Sequence, residues 1–381
     1  MNFEKLARYQ DELTAGPVPG NDVFVTVDGE EVFRRQSGYS DLESGTKMNG
    51  DELYLAWSGS KLITTSLGMR LVEKGLLDLK APVAEYLPEY ADLTVKKTID
   101  GRETVTKAKN TLYVYQLFNM TAGFDYNFAS AEIAEVRKAT DGHCPTREVL
   151  KAFAKMPLIH EPGEHFEYSK CHDVLAGLIE VVAGERMRDH AKRVLFDPLG
   201  MDDTSFGLPT AEQQARMAGQ YLWRNDLGKA VPMKKVCNYM LGDEFDSGGA
   251  GIVSTCADFM KFASTVACGG TTPYGYRFLK PETIDEWRRD TLMLAQFADF
   301  RRDWGLGYSY GLGVRTMIDH REYGASDGCD DFGWGGAAGM RVHICTENKV
   351  AAVYMMHMHE MPSKREFERT LRNTIFACVN E

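Results

Sequence analysis

The 381-residue chain is long enough to bury a sizeable core and longer than one typical domain. Its 44% hydrophobic and 26% charged residues are ordinary for a globular protein, with no low-complexity run. A net charge of −11 argues against a nucleic-acid backbone as the main partner, and the longest apolar runs fall far short of the ~20 residues that cross a bilayer. The opening Met1-Asn2-Phe3-Glu4-Lys5-Leu6 reads as a polar helix start without an apolar signal core. Eight cysteines, at 144, 171, 237, 256, 268, 329, 345 and 378, form no C-x-x-C. Several lie in apolar runs, so free buried thiols and a reduced, cytoplasmic setting are expected.

Residues 2–14 predict an opening helix. Segments 23–27 and 31–33 flank Asp28-Gly29 and predict a hairpin, because Asp-Gly suits a two-residue type I′ turn. Residues 53–56 lead into Ala56-Trp57-Ser58-Gly59-Ser60-Lys61 and an apolar helix ended by Gly75 as C′ glycine. Residues 78–88 are turn-rich and mark the first boundary. Helices are predicted at 112–120, ended by Thr121-Ala122-Gly123, and at 146–156, with Thr146 as cap. Beyond Pro162-Gly163 and Tyr168-Ser169-Lys170, the positions Val174, Leu175, Leu178, Ile179 and Val182 recur at helical spacing. A further helix covers 187–195. The stretch 208–243 has no clear period and reads as loops and short helices. A tight turn at 247–253 precedes a helix capped by Ser254-Thr255, and another helix covers 283–293. Strand character then takes over at 308–317, 321–323, 339–345 and 350–357, before a closing helix at 363–378. Strands at both ends with helices between predict an α+β fold. One antiparallel sheet would belong to a lobe of residues 1–85 and 245–381, carrying a mainly helical lobe over 86–244.

Three segments could carry chemistry. Ser58 and Lys61 are three positions apart, which on a helix places them on one face, about 5–6 Å apart at Cβ. Serine needs an adjacent base, and a lysine supplies one only where burial or a cationic neighbour lowers its pKa from about 10.4. Leu55, Ala56 and Trp57 on one side, and Leu62, Ile63 and Leu67 on the other, would provide that desolvation. The plain alternative is a serine cap beside a solvated lysine. Ser60 faces elsewhere on the helix. Tyr168 stands at a helix start, open to a cleft, where a phenol can exchange protons with a serine oxygen and a leaving group. The alternative is a packing tyrosine. Glycines in Gly333-Trp334-Gly335-Gly336-Ala337 admit a close backbone at the start of a strand, where an amide can hold an oxyanion. A bulged hairpin is the alternative there. Gly324-Ala325-Ser326-Asp327-Gly328 matches G-x-S-x-G, but lacks the strand and helix of a nucleophile elbow. His357 and His359 alternate on a strand end with no third ligand nearby, so no metal site is expected. Trp57 reads as core.

In order, these segments resemble the serine β-lactamase-like family of class C β-lactamases, D-alanyl-D-alanine carboxypeptidases and family VIII-type esterases. The resemblance runs from Ser58 and Lys61, with Glu73-Lys74-Gly75-Leu76-Leu77-Asp78-Leu79, through Met120-Thr121-Ala122-Gly123-Phe124 and Phe166-Glu167-Tyr168-Ser169. It continues through Phe196-Asp197-Pro198-Leu199-Gly200-Met201 and residues 249–258 to Trp334-Gly335-Gly336. It implies a β-lactamase/transpeptidase-like fold with a cleft between its lobes, and an acyl-enzyme formed on Ser58. Lys61 and Tyr168 would share the proton transfers, and the amides of Ser58 and Ala337 would hold the oxyanion. Trp334, Gly335, Gly336 and Lys170 would contact substrate. Two departures matter. Lys170 replaces the asparagine of Tyr-x-Asn, and Trp334-Gly335-Gly336 replaces Lys-Thr-Gly. Tryptophan cannot pair with a carboxylate but suits a neutral ligand, and the Trp-Gly-Gly variant occurs in esterases of the family. Lys170 would supply a cation from another wall of the site. The expected activity is a carboxylesterase on small neutral esters, with no cofactor and a small molecule as partner. The alternatives are a β-lactamase, a D-amino-acid peptidase or amidase, or a catalytically silent ligand-binding member.

Overall fold

Both ends of the chain enter one antiparallel sheet. The computed structural model describes residues 1–381 apart from 234–238, 326 and the side chain of Ile99. Eight strands run across the sheet in the order Tyr308–Tyr310, Arg315–Met317, Phe332–Gly333, Arg341–Cys345, Val350–Met356, Gly20–Val27, Glu30–Asp41 and Thr46–Lys47. Alternate residues of the central strand Val350–Met356 go to opposite cores. Ala351, Val353 and Met355 pack with Phe259 and Phe262 of helix Cys256–Ala267. Ala352, Tyr354 and Met356 pack with Leu6 and Leu371 of helices Glu4–Ala15 and Lys364–Asn380. The Asp28-Gly29 turn has positive φ at both residues, 52° and 84°, as type I′ requires.

The helix Ser60–Glu73 is buried without a break from Ser60 to Met69. A helix apolar or enclosed on every side belongs in a protein's interior, and this one packs against helices Cys171–Ala183 and Pro281–Arg288. It ends as expected, with Gly75 at φ 68°.

Several expectations are corrected. The stretch 208–243 contains helix Ala211–Arg216 and a hairpin, Tyr221–Arg224 with Lys229–Pro232, whose first strand lies parallel to Met358–His359. Four-residue strands offer too few alternations to show a period. A second hairpin, Thr94–Ile99 with Arg102–Lys107, lies where helices and loops were expected. Residues 321–323 belong to a short helix, His320–Tyr323, with the Asp319 side chain accepting the Glu322 N–H. Residues 283–293 are only partly helical: Pro281–Arg288 stops, and Leu294–Trp304 follows. Pro145, not Thr146, is the cap of helix Thr146–Lys155; the Thr146 hydroxyl instead accepts the N–H of Asp246 at 3.1 Å. Cys329 and Cys345 form a disulfide rather than free thiols, because antiparallel pairing of Phe332 with Ile344 brings their Cα atoms to 6.4 Å. Cys144, Cys171, Cys256 and Cys378 are free and buried. Cys237 and Ser326 lie outside the described residues. Among the described residues, no helix is long and apolar enough to cross a membrane.

A buried charge cluster locks the closing helix to the sheet. Arg372 is fully buried and donates to Asp331 at 3.0 Å, Asp327 at 2.9 Å and the Cys329 carbonyl at 2.9 Å. Asp331 also accepts from the Tyr308 hydroxyl at 3.0 Å and pairs with His343 at 2.8 Å. Burial pushes the Asp331 carboxyl up, but His343 and Arg372 outweigh it and hold it far below the usual carboxylate range. Removing one member of such a cluster strands the rest. Arg372→Leu should cost about 3–5 kcal/mol in urea unfolding; a loss under 1 kcal/mol would show that the cluster is not holding the helix.

Candidate active site

Ser58 is presented by a turn between strand Tyr54–Leu55 and the buried helix. The strand pairs with Ile252–Ser254, and the Ala56 N–H donates to the Ile252 carbonyl at 2.9 Å. The chain then bends through Trp57, whose φ of 48° lies in the left-handed region. A tryptophan held there stores about 1–3 kcal/mol, a cost met only where packing over-determines the conformation. Its ring packs edge-on to His359, with centroids 4.7 Å apart. Ser58 occupies the single 3-10 turn Trp57–Gly59 that precedes helix Ser60–Glu73.

The Trp334-Gly335-Gly336-Ala337 turn lies directly against this serine turn. A Cβ on Gly336 would collide with the Ala56 carbonyl, and one on Gly59 with the Met340 sulfur. The bare Gly336 lets the two backbones meet, and the bare Gly59 leaves room for the Met340 side chain. Arg341 Nη1 donates to the Gly336 carbonyl at 3.2 Å. That carbonyl and the Ala337 N–H belong to one trans peptide, so the bond also fixes where the exposed Ala337 N–H points. Glu368 in turn binds Arg341, and Arg315 at 3.3 Å. Burial pushes the Glu368 carboxyl up, but Arg341, Arg315 and Lys364 outweigh it and bring it down to about 2.

Lys61 is fully buried, and its Nζ donates to three oxygens: the Gly249 carbonyl at 2.8 Å, the Tyr126 hydroxyl at 3.2 Å and Ser58 Oγ at 3.4 Å. Buried Asp173 organises the loop that supplies the first of these, accepting from Ser247 Oγ at 2.6 Å and the Gly249 N–H at 3.1 Å. Burial pushes the Asp173 carboxyl up, against the pull of the Lys61 charge.

Tyr168 comes just before helix Cys171–Ala183, with its ring centroid 4.7 Å from Lys61 Nζ. Its hydroxyl accepts the indole N–H of Trp334 at 3.2 Å. Tyr126 stacks on Tyr168 at 5.6 Å and 9°. Burial, with Tyr168 and Asp173 adding to it, pushes the Tyr126 phenol well above its ordinary value, against a hydrogen bond with Ser58. Tyr126 therefore stays a neutral hydroxyl near neutral pH. Sequence reasoning missed it. It lies two residues beyond the Met120–Phe124 motif, in a loop whose spacing does not reveal what it faces.

A cavity of ≈ 160 Å³ is lined by Ser58, Tyr168, Trp334, Gly335, Gly336 and Ala337, so these expected residues share one wall system. Trp304, Arg315, Arg341, Lys364 and Glu368 complete it, and none of them was foreseen. Lys170 is the exception among the expected substrate contacts. It is buried outside the cavity, ion-paired to Asp125 at 2.7 Å, because its side chain enters the packing beneath the 125–127 loop. Ser60 accepts the Ile252 N–H at 3.0 Å and serves the fold. His357 is buried, and burial brings it down to about 4. Among the described residues, no group of three His, Cys, Asp or Glu side chains could hold a metal.

A serine turn, a buried lysine one turn on and a glycine turn at the start of a strand come together here in a β-lactamase/transpeptidase-like fold. A family model described as Beta-lactamase matches residues 6–374, and the chain belongs to that family. It is 28% identical over 318 residues to Protein Rv1367c of Mycobacterium tuberculosis H37Rv, covering 79% of this chain and 76% of that one. It is 26% identical over 357 residues to Esterase EstB of Burkholderia gladioli, covering 87% and 84%. Simvastatin synthase LovD from Aspergillus terreus shares the fold with a TM-score of 0.81 and 20% identity, over 98% of this chain and 97% of that one.

Tyr126→Phe removes one acceptor of a buried ammonium while keeping the ring stack. Hydrogen bonds to charged groups are worth enough for kcat to fall about tenfold or more with KM little changed. An unaltered kcat would place Tyr126 outside the working site.

Proposed function

We propose that the chain is a serine hydrolase that works through an acyl-enzyme, with small neutral carboxylic esters as substrates. The observation that carries this reading is the Lys61 ammonium, buried and pointed at Ser58 Oγ, Tyr126 and a backbone carbonyl. Ser58 Oγ attacks the ester carbonyl carbon, and its proton passes to the Lys61–Tyr168 pair, which acts as base in the state holding one proton fewer than ammonium plus phenol. The carbonyl oxygen gains charge and is held by the amides of Ser58 and Ala337. Collapse breaks the C–O bond to the alcohol, which leaves with the returned proton. Water then repeats the sequence on the acyl group and frees Ser58.

In this reading the cleft lies between the lobe of residues 1–85 and 245–381, which brings Ser58, Lys61 and Ala337, and the lobe of 86–244, which brings Tyr168. Trp304 and Trp334 offer apolar faces suited to a neutral acyl chain. Glu368 occupies Arg315 and Arg341, which draws their charge away from substrate. The likeness to a relative named as an esterase supports the same class of substrate. The buried free thiols support a cytoplasmic setting, and the Cys329–Cys345 pair weighs against it.

The test is hydrolysis of p-nitrophenyl acetate and butyrate beside benzylpenicillin and a cephalosporin. The short esters should be turned over, and Ser58→Ala should lower kcat/KM by about a thousandfold or more. Penicillin turnover as efficient as that of the esters would contradict the substrate class. Ester turnover that survives Ser58→Ala would contradict the mechanism.

A further inference from the structure

The lysine at position 170 does no work in the cavity, yet it is one of the most thoroughly buried charges in the chain. Its contacts gather on one short loop. Lys170 Nζ donates to Asp125 Oδ1 at 2.7 Å and to the Asn127 carbonyl at 3.2 Å. The backbone N–H of Lys170 donates to the Asp125 carbonyl at 3.3 Å. Nζ also lies 5.0 Å from the centre of the Phe153 ring and 3.5 Å from Met156 Sδ. One residue therefore grips the loop on both sides of position 126 and leaves position 126 itself for the site.

Tyr126 is the residue so bracketed. Its hydroxyl is 3.2 Å from Lys61 Nζ, and its ring lies flat on Tyr168, only two residues before Lys170. Both tyrosines are thus referred to a single anchor. A buried ammonium is costly unless it is paired and hydrogen-bonded, and here its ion pair and its bond to a carbonyl both go to the loop. An asparagine at this position is too short to reach both Asp125 and Asn127 while leaving the Phe153 pocket filled.

Resting on the acyl-enzyme reading above, we propose that Lys170 is a positioning residue: it clamps Asp125 and Asn127 and so holds the Tyr126 hydroxyl against Lys61 and Ser58. It touches no reacting atom. Its effect on turnover passes through Tyr126. Reacting groups misplaced by about 1 Å can lose a hundredfold in rate, so releasing the loop is felt in kcat before it is felt in substrate affinity.

The experiment is a double-mutant cycle on the full chain with p-nitrophenyl acetate. Lys170→Met keeps the stem and fills the Phe153–Met156 pocket; Lys170→Arg keeps the charge. Lys170→Met should lower kcat about tenfold or more with KM within about twofold, and Lys170→Arg should recover much of it. In a Tyr126→Phe background, Lys170→Met should add little, since the hydroxyl it positions is already gone. Equal fold-losses in both backgrounds would mean a general structural role and would overturn the proposal, as would an unchanged kcat in Lys170→Met. Asp125→Asn, at a partly exposed carboxylate, reads the same clamp if Lys170→Met does not fold. One readout needs no turnover. With tyrosines labelled at 13Cζ, the Tyr126 resonance, assigned by its loss in Tyr126→Phe, should move in Lys170→Met and in Asp125→Asn. A resonance unmoved in both would overturn the clamp, whether or not the protein proves to be an esterase.

Discussion

A buried ammonium with no carboxylate bonded to it among the described residues organises this molecule. Lys61 Nζ spends its hydrogens on a backbone carbonyl, a phenol and the Ser58 hydroxyl. Neutral acceptors satisfy its donors, and the buried Asp173 carboxyl, which feels the Lys61 charge, bonds instead to Ser247 Oγ and the Gly249 N–H, so the ammonium faces the serine oxygen directly. Every element around the site can be understood by how it keeps those three acceptors in place. The Ser247-Gly248-Gly249 turn is fixed by Asp173 from the opposite helix. The phenol comes on a loop held by Lys170, and the serine on a turn strained at Trp57 and backed by His359.

The sheet supplies the other half of the arrangement. Its central strand is buried on both faces, so the strands beside it cannot shift without breaking two cores at once. Strand Arg341–Cys345 begins at the glycine turn that meets Ser58 and carries Arg341, which braces the Gly336 carbonyl. The Arg372 cluster fastens the closing helix to the same sheet, and Glu368 on that helix holds Arg341. The charge-assisted bonds Glu368–Arg341–Gly336 carbonyl thus link the closing helix to the peptide beside Ser58.

What could be read from the sequence was what local geometry decides. Ser58 and Lys61, three positions apart, meet across one turn even though Ser58 lies in the 3-10 turn ahead of the helix, and Asp28-Gly29 has few ways to turn. The two terminal groups of strands and the helices between them were visible because buried strands and helices have different periods. Tyr126 was hidden because a loop residue's neighbours are set by long-range contacts, not by spacing. Lys170 was misplaced for a related reason. A lysine beside a motif suggests a cation in the cleft, whereas burial against Phe153 and pairing with Asp125 depend on where a second loop passes. The Arg315–Glu368–Arg341 group joins residues from two strands and the closing helix, and no window of sequence contains it. The helix at 320–323 failed for want of length: three residues with a tyrosine suit either state, and the Asp319 cap settles it.

The central claim is that one hydroxyl, made reactive by a buried lysine a single turn away, carries the acyl group between substrate and water. Acid-quenching the protein during turnover of a slowly released ester, then locating the added mass by peptide mass spectrometry, addresses it most directly. The account predicts an adduct of one acyl group on the peptide containing Ser58, absent from the Ser58→Ala protein. An adduct on another residue during Ser58-independent turnover, or rapid hydrolysis with no trapped acyl group under any quench, would contradict it.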